Sequence, residues 1–527
     1  MRNTHFPGRS PVYSLDGMVS TSHPLASKAS IDILSKGGNA VDAAVTAASV
    51  LAVVEPHSTG VGGDLFCLYH KAQSNKIIGM NASGRAPNSI SIDKLENLGI
   101  KESIPFQSPH SVSVPTGVAG WIKLIQDHGN LKLKEILEPA INYAEQGYIV
   151  ADVIADVWER EVEKLAADKD CKNLFLPEGK CLKAGDIHYQ PRLAKTLKSI
   201  AEHGRAGFYE GDIAKSMVKK LNSLGGFHNL EDFANAEANY VDPISANYRG
   251  VKIFECPPNG QGVIALMIIK ILEGFDFIDI APNSSLRIHL QAEATKIAFS
   301  HRDHYLADPD HANVPVERML SEEYIKTLRS LIKIDSCIRN YKPELPIHPN
   351  TVYISVVDKE RNSVSLINSI FHSFGSGLVD HDTGVLFQNR GASFVLDPSH
   401  PNVIKGGKRP MHTIIPSIAT KENKPYLSFG VMGGHYQPMG QAHVLSNIID
   451  YGMDPQKSLD FPRSFYFDGL LECEEGIPQN VREELAAKGH QVKVCDLPHG
   501  GGQVIEHRGD TLIGGSDPRK DGCAIGL

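Results

Sequence analysis

The chain has no long apolar run, no basic tract and no paired-cysteine motif, and each absence removes a class of function. Its most apolar early stretch, AVTAASVLAVVEP, ends after about a dozen residues, short of the roughly 20 that a membrane-spanning helix needs. The N-terminal MRNTHFPGRSPVYSLDG lacks the apolar segment of a secretory signal, so a cytoplasmic protein is expected. A net charge of −8 offers no positive field to a polyphosphate, which argues against nucleic-acid binding. The cysteines Cys67, Cys171, Cys181, Cys256, Cys337, Cys473, Cys495 and Cys523 are scattered, with neither CxxC pairs nor histidines at metal-ligand spacing. Reduced structural thiols and no metal are the expectation. Cys171 and Cys181 flank a loop-like segment, but a reducing compartment argues against their pairing. Internal repeats and low-complexity tracts are also missing.

What remains is ordinary globular material. With 527 residues, 41% of them hydrophobic and 22% charged, the chain can bury a large core in one or two domains. HPLASKASIDILSKGGNAVDAAVTAASVLAVVEP reads as two helices, the first ended by Gly37 and Gly38 and the second capped by Asn39. The second is apolar nearly all round, so it should be buried. HSTGVGGDLFCLYHK and NKIIGMNASGRAP follow as strands with glycine-containing turns. From roughly 115 to 345 helical patterns dominate. YKPELPIHPN, with three prolines, is then an exposed connector. Beyond it TVYISVVD, the turn KERN and SVSLINSI form a hairpin, KPYLSFGVMGG adds a strand, and QPMGQAHVLSNIIDYGM and PQNVREELAAKGH add helices.

Thr351 stands where the connector meets the hairpin. A threonine there suits the pleat, and that alone explains most such residues. The position has a second reading, because the connector can be cut at little structural cost. The Thr351 hydroxyl can attack the Asn350 carbonyl in an N-to-O acyl shift. Hydrolysis of the resulting ester then leaves Thr351 as a new N-terminus. Its α-amine, with a pKa near 8, can take the proton of its own hydroxyl. Nucleophile and base become one residue. Gly433 and Gly434, just after a strand, can aim backbone N–H groups at an oxyanion.

STGVGGDLF, TVYISVVDKERNSVSL, FGSGLVDHDTGVLFQNRG, GGKRPMHTIIPSI, FGVMGG and GGSDPRKDG occur in this order between residues 58 and 522. Together they resemble the γ-glutamyltransferase family of the N-terminal-nucleophile hydrolases. The resemblance implies an α/β (α+β) fold, a four-layer αββα sandwich, made as a precursor. Self-cleavage would give a large subunit, 1–350, and a small subunit, 351–527, that stay together. It implies Thr351 as nucleophile, Ser369 as a second hydroxyl beside it, and Gly433 and Gly434 as the oxyanion hole. Arg85 is the candidate carboxylate clamp, although it stands two residues later than usual.

The departures bear on the substrate. Ser393 occupies the place where such enzymes hold an acidic partner for the glutamyl α-amine, in a segment that also carries Arg390. His412 and Thr413 replace a serine pair, and Phe371 replaces an asparagine. Arg85, Arg390, Ser393, His412 and Thr413 are therefore the expected substrate-binding set. Asp64, Glu293 and Arg302 read as structural ion-pair residues. The expected activity is hydrolysis, or transfer to an amine, of a γ-glutamyl amide through a Thr351 acyl-enzyme, without any cofactor. An acylase acting on a dicarboxylic acyl amide is the alternative within the fold, and an uncleaved binding protein the alternative outside it. The expected partners are a small-molecule amide and the two subunits of one precursor, with higher oligomers left open.

Overall fold

The computed structural model describes residues 8–338 and 351–527. The whole proline-rich connector, Asn350 included, lies outside them.

The hairpin forms as its alternation predicts. Val352–Val357 and Ser363–Ser369 pair antiparallel, with Val352 opposite Asn368. Every residue of both strands is buried, so the pair lies inside a sheet rather than at its rim. That sheet has seven strands in the order Cys523–Gly526, Met18–Thr21, Val352–Val357, Ser363–Ser369, Asp64–Lys71, Lys76–Ala82 and Asn239–Val241, each antiparallel to its neighbours. A second antiparallel sheet runs Val12–Ser14, Thr511–Ser516, Gly501–Arg508, Lys424–Met432, Ser417–Lys421, Val251–Glu255 and Ile244–Tyr248.

Side chains from the two inner faces interlock, Phe66, Leu68, Tyr353 and Ile367 from one and Cys256, Ile418 and Met432 from the other. The Tyr353 ring lies against Gly430, where a Cβ would approach it to 2.4 Å, so a side chain there would push the sheets apart. Ser355 donates across the same interface to Ser428 Oγ at 2.7 Å.

Helices cover both outer faces. Pro24–Ser35 and Ala40–Val54 pack in the core of the first sheet. All of Ala40–Val54 is buried, as its all-round apolar pattern predicts, and Asn39 and Asp42 close a capping box at its start. Gly262–Glu273, Ser285–Tyr305 and Gln437–Ile449 cover the second sheet. The result is an αββα sandwich. Among the described residues no helix is long and apolar enough to cross a membrane.

The reading of 115–345 as helical missed one feature. Asn239–Val241, Ile244–Tyr248 and Val251–Glu255 interrupt the helices, the first as an edge of one sheet and the second as an edge of the other. Strands of three to five residues leave too little alternation to stand out between long helices.

Candidate active site

Strand register builds the centre of the site. Ser369 ends its strand opposite Asp64, the first residue of Asp64–Lys71, while Thr351 immediately precedes Val352, whose partner is Asn368. Thr351, Ser369 and Asp64 therefore form a row across three neighbouring strands. Thr351 Oγ1 and Ser369 Oγ are 3.2 Å apart, and both residues are buried. The glycines before Asp64 make this approach possible, since a Cβ on Gly63 would come within 2.3 Å of the Ser369 carbonyl oxygen.

Arg390 reaches the same point from a short 3-10 turn, Arg390–Ser393. Its Nη2 donates to Ser369 Oγ at 3.3 Å and its Nη1 to Thr413 Oγ1 at 2.7 Å. The guanidinium lies 4.0 Å from the centre of the Phe371 ring. Phe371 holds that ring in place with a left-handed φ of 80° and donates its N–H to Ser369 Oγ at 3.0 Å. Burial lowers the Arg390 pKa to about 9, against the opposing pull of Asp64, so the group stays cationic at neutral pH. Ser393 donates its hydroxyl to the carbonyls of Arg390 and Met411, each at 2.8 Å. It ties down the turn that carries Arg390.

Asp64 is the functional candidate that the sequence reading set aside. It is fully buried, and its Oδ1 accepts from Gly84 N and Gln388 Nε2, both at 2.8 Å. Its Oδ2 lies 3.0 Å from His412 Nε2. Burial, and Arg390 nearby, lower the His412 pKa to about 4, so the imidazole is neutral. Because His412 Nδ1 accepts the Ile414 N–H, its proton sits on Nε2 and is donated to Asp64. An acid just after a glycine-rich turn, with a histidine far along the chain, was the available signal; strand register gives it meaning.

Gly433 and Gly434 follow Lys424–Met432 with φ of 116° and 50°. A Cβ on Gly433 would meet Gly500 Cα at 2.9 Å. Its carbonyl accepts from Tyr436 N at 2.9 Å, which fixes the peptide plane carrying the Gly434 N–H. Gln261 bridges the Gly434 and Thr413 carbonyls at 2.8 and 2.7 Å, joining this turn to the Arg390 group.

Arg85 follows Gly84, whose N–H donates to Asp64 Oδ1. It is partly exposed, donates to Asp310 at 2.8 Å and to the Gly407 carbonyl at 2.9 Å, and lines a cavity of about 160 Å³ with Ser83, Thr116 and Arg409. Glu293 and Arg302 form ion pairs with Lys296 at 2.6 Å and Asp303 at 2.7 Å. Among the described residues, His289, Glu293 and His490 cluster closely enough to hold a metal, but the Lys296 ammonium already neutralises that carboxylate.

The family model described as Gamma-glutamyltranspeptidase matches residues 26–527. The chain belongs to that family. It is similar to the glutathione hydrolase-like YwrD proenzyme of Bacillus subtilis (strain 168), 37% identical over 97% of this chain and 98% of that one. It is 32% identical to the glutathione hydrolase proenzyme of Escherichia coli (strain K12), over 97% and 91% of the two chains. Among solved structures, cephalosporin acylase from Bacillus halodurans superposes with a TM-score of 0.94 at 38% identity, covering 100% of this chain and 99% of that one. The protein is thus an enzyme of the N-terminal-nucleophile amidohydrolase type, on the sandwich fold of that group.

Proposed function

We propose that the chain is a proenzyme that cuts itself between Asn350 and Thr351 and then hydrolyses an amide of a γ-glutamyl or related dicarboxylic acyl group through Thr351. The observation that carries this reading is the 3.2 Å pairing of Thr351 Oγ1 with Ser369 Oγ, directly after the connector and at the mouth of a buried strand. In the first reaction the Thr351 hydroxyl attacks the Asn350 carbonyl, the C–N bond breaks, and water hydrolyses the ester. In the second, the freed α-amine takes the hydroxyl proton, Oγ1 attacks the substrate carbonyl and the amine product leaves with a proton. Gly433 and Gly434 hold the oxyanion, Ser369 orients the nucleophile, and water releases the acyl group. Residues 1–350 and 351–527 form the large and small subunits, as the proenzyme relatives suggest.

Hydrolysis is favoured over transfer, and an acylase activity is the second reading. The Ser393 hydroxyl is committed to two carbonyls, and the neighbouring Arg390 would repel rather than hold an α-ammonium. Intact-mass spectrometry of the purified protein and of Thr351→Ala tests the first reaction: two fragments meeting at Asn350 and Thr351 are expected only without the substitution. Incubation of the processed enzyme with glutathione and with a glutaryl amide separates the two substrate readings.

A further inference from the structure

Arg390 is a buried cation without an ionic partner among the described residues. Its guanidinium bonds two neutral hydroxyls, Ser369 and Thr413, and its Nε has no acceptor. Asp64 lies near enough to favour the charge, but its oxygens bond Gly84, Gln388 and His412 and no hydrogen bond or ion pair joins it to Arg390. A buried charge in this condition is costly to keep and strongly favours an incoming anion.

Its position limits what that anion can be. The Ser369 hydroxyl is shared between the nucleophile and the guanidinium, 3.2 Å from Thr351 Oγ1 and 3.3 Å from Arg390 Nη2. A carboxylate held at the usual charge-assisted distance of about 2.8 Å from Arg390 is then within reach of a dicarboxylic acyl chain whose other carbonyl Thr351 attacks. The mount is rigid: the Phe371 ring supports the guanidinium from one face, and Ser393 holds the Arg390 carbonyl. Phe371 is one of few non-glycine residues here with left-handed φ, a cost that such sites accept to fix a group in place. Arg85, by contrast, is partly exposed and already paired with Asp310.

We infer that Arg390 is the receptor for a carboxylate at the far end of the substrate's acyl group, so that half-amides of dicarboxylic acids are preferred over neutral amides. The inference rests on Thr351 as the nucleophile. Thr351 and Arg390 are both buried in the uncut chain and are joined through Ser369.

The test uses processed enzyme and a series of anilides, each acyl chain length made with and without its terminal carboxylate. The ratio of kcat/KM for carboxylated over neutral anilide should exceed tenfold at the best-fitting chain length. In Arg390→Met that ratio should fall at least tenfold. An unchanged ratio in Arg390→Met, or a ratio near one at every chain length, overturns the inference. Should Arg390→Met fail to fold or process, inhibition of the unaltered enzyme decides. Dicarboxylates from oxalate to glutarate should inhibit more strongly than the uncharged diamides of the same length; equal inhibition by the two sets overturns the inference. Failure of the Thr351 reading would appear separately, as an uncut chain or as hydrolysis that survives Thr351→Ala.

Discussion

His412 donates its Nε2 proton to Asp64 Oδ2 at 3.0 Å while its Nδ1 accepts the Ile414 N–H, so a neutral imidazole, fixed in one tautomer, holds a buried carboxylate beside the Thr351 and Ser369 row. His412→Ala leaves that oxygen without its donor, a loss of about 1–3 kcal/mol for a buried charged acceptor. A lower melting temperature is expected, with partial recovery in His412→Gln, whose amide can donate. Equal losses in both variants would mean that packing, not the donated proton, is what His412 supplies.

Acid should destabilise the enzyme through its buried histidines, which outnumber the buried Glu55 and Glu255 that burial shifts in the opposing direction. Burial lowers the pKa of His23, His228 and His412 to about 4 and of His188 and His490 to about 3, from 6.5. Each binds a proton more readily in the unfolded chain, so the stability from keeping it neutral is complete above pH 6.5 and is lost as pH falls toward 4. The slope approaches about 1.4 kcal/mol per pH unit for each group. Melting temperature should therefore fall steadily from pH 7 to pH 5 at constant ionic strength. A flat profile over that range would contradict the burial argument.

Ser369→Ala removes the hydroxyl that Thr351, Arg390 and Phe371 share. Self-cleavage should slow, visible as lingering full-length chain on a denaturing gel. In the processed fraction, kcat should fall by about 10- to 100-fold, the lower range for an orienting polar group. Normal turnover would remove Ser369 from the mechanism.

Gly433→Ala forces a side chain onto a φ of 116° and toward Gly500 Cα at 2.9 Å. The turn must shift, and the Gly434 N–H with it. Loss of one oxyanion donor costs about 100- to 1,000-fold in kcat, and a drop of that order is expected with KM little changed. A change confined to KM would place the turn in substrate binding instead.

Local chemistry made much of this legible in the sequence. Asn39 announced a helix start, the apolar run after it announced burial, and alternation on both sides of KERN announced the central hairpin. What escaped depends on alignment between distant segments. Asp64 read as a structural acid because nothing local reveals that register sets it opposite Ser369, or that its partner is a histidine 348 residues away. The two carbonyl bonds of the Ser393 hydroxyl are likewise set by the direction of a short turn, which a residue's place in a motif does not reveal.

The order of the strands also decides what a single cut can do. Val352–Val357 lies between Met18–Thr21 and Ser363–Ser369, while Cys523–Gly526 closes over Met18–Thr21 and Val12–Ser14 is bound by Thr511–Ser516. Severing the chain before Thr351 would give two polypeptides woven through both sheets, each supplying the other's neighbours. Such a pair comes apart only by melting. Once melted, it must meet again in solution before it can refold, so the protein's lifetime would depend on how slowly it opens rather than on how readily it re-forms.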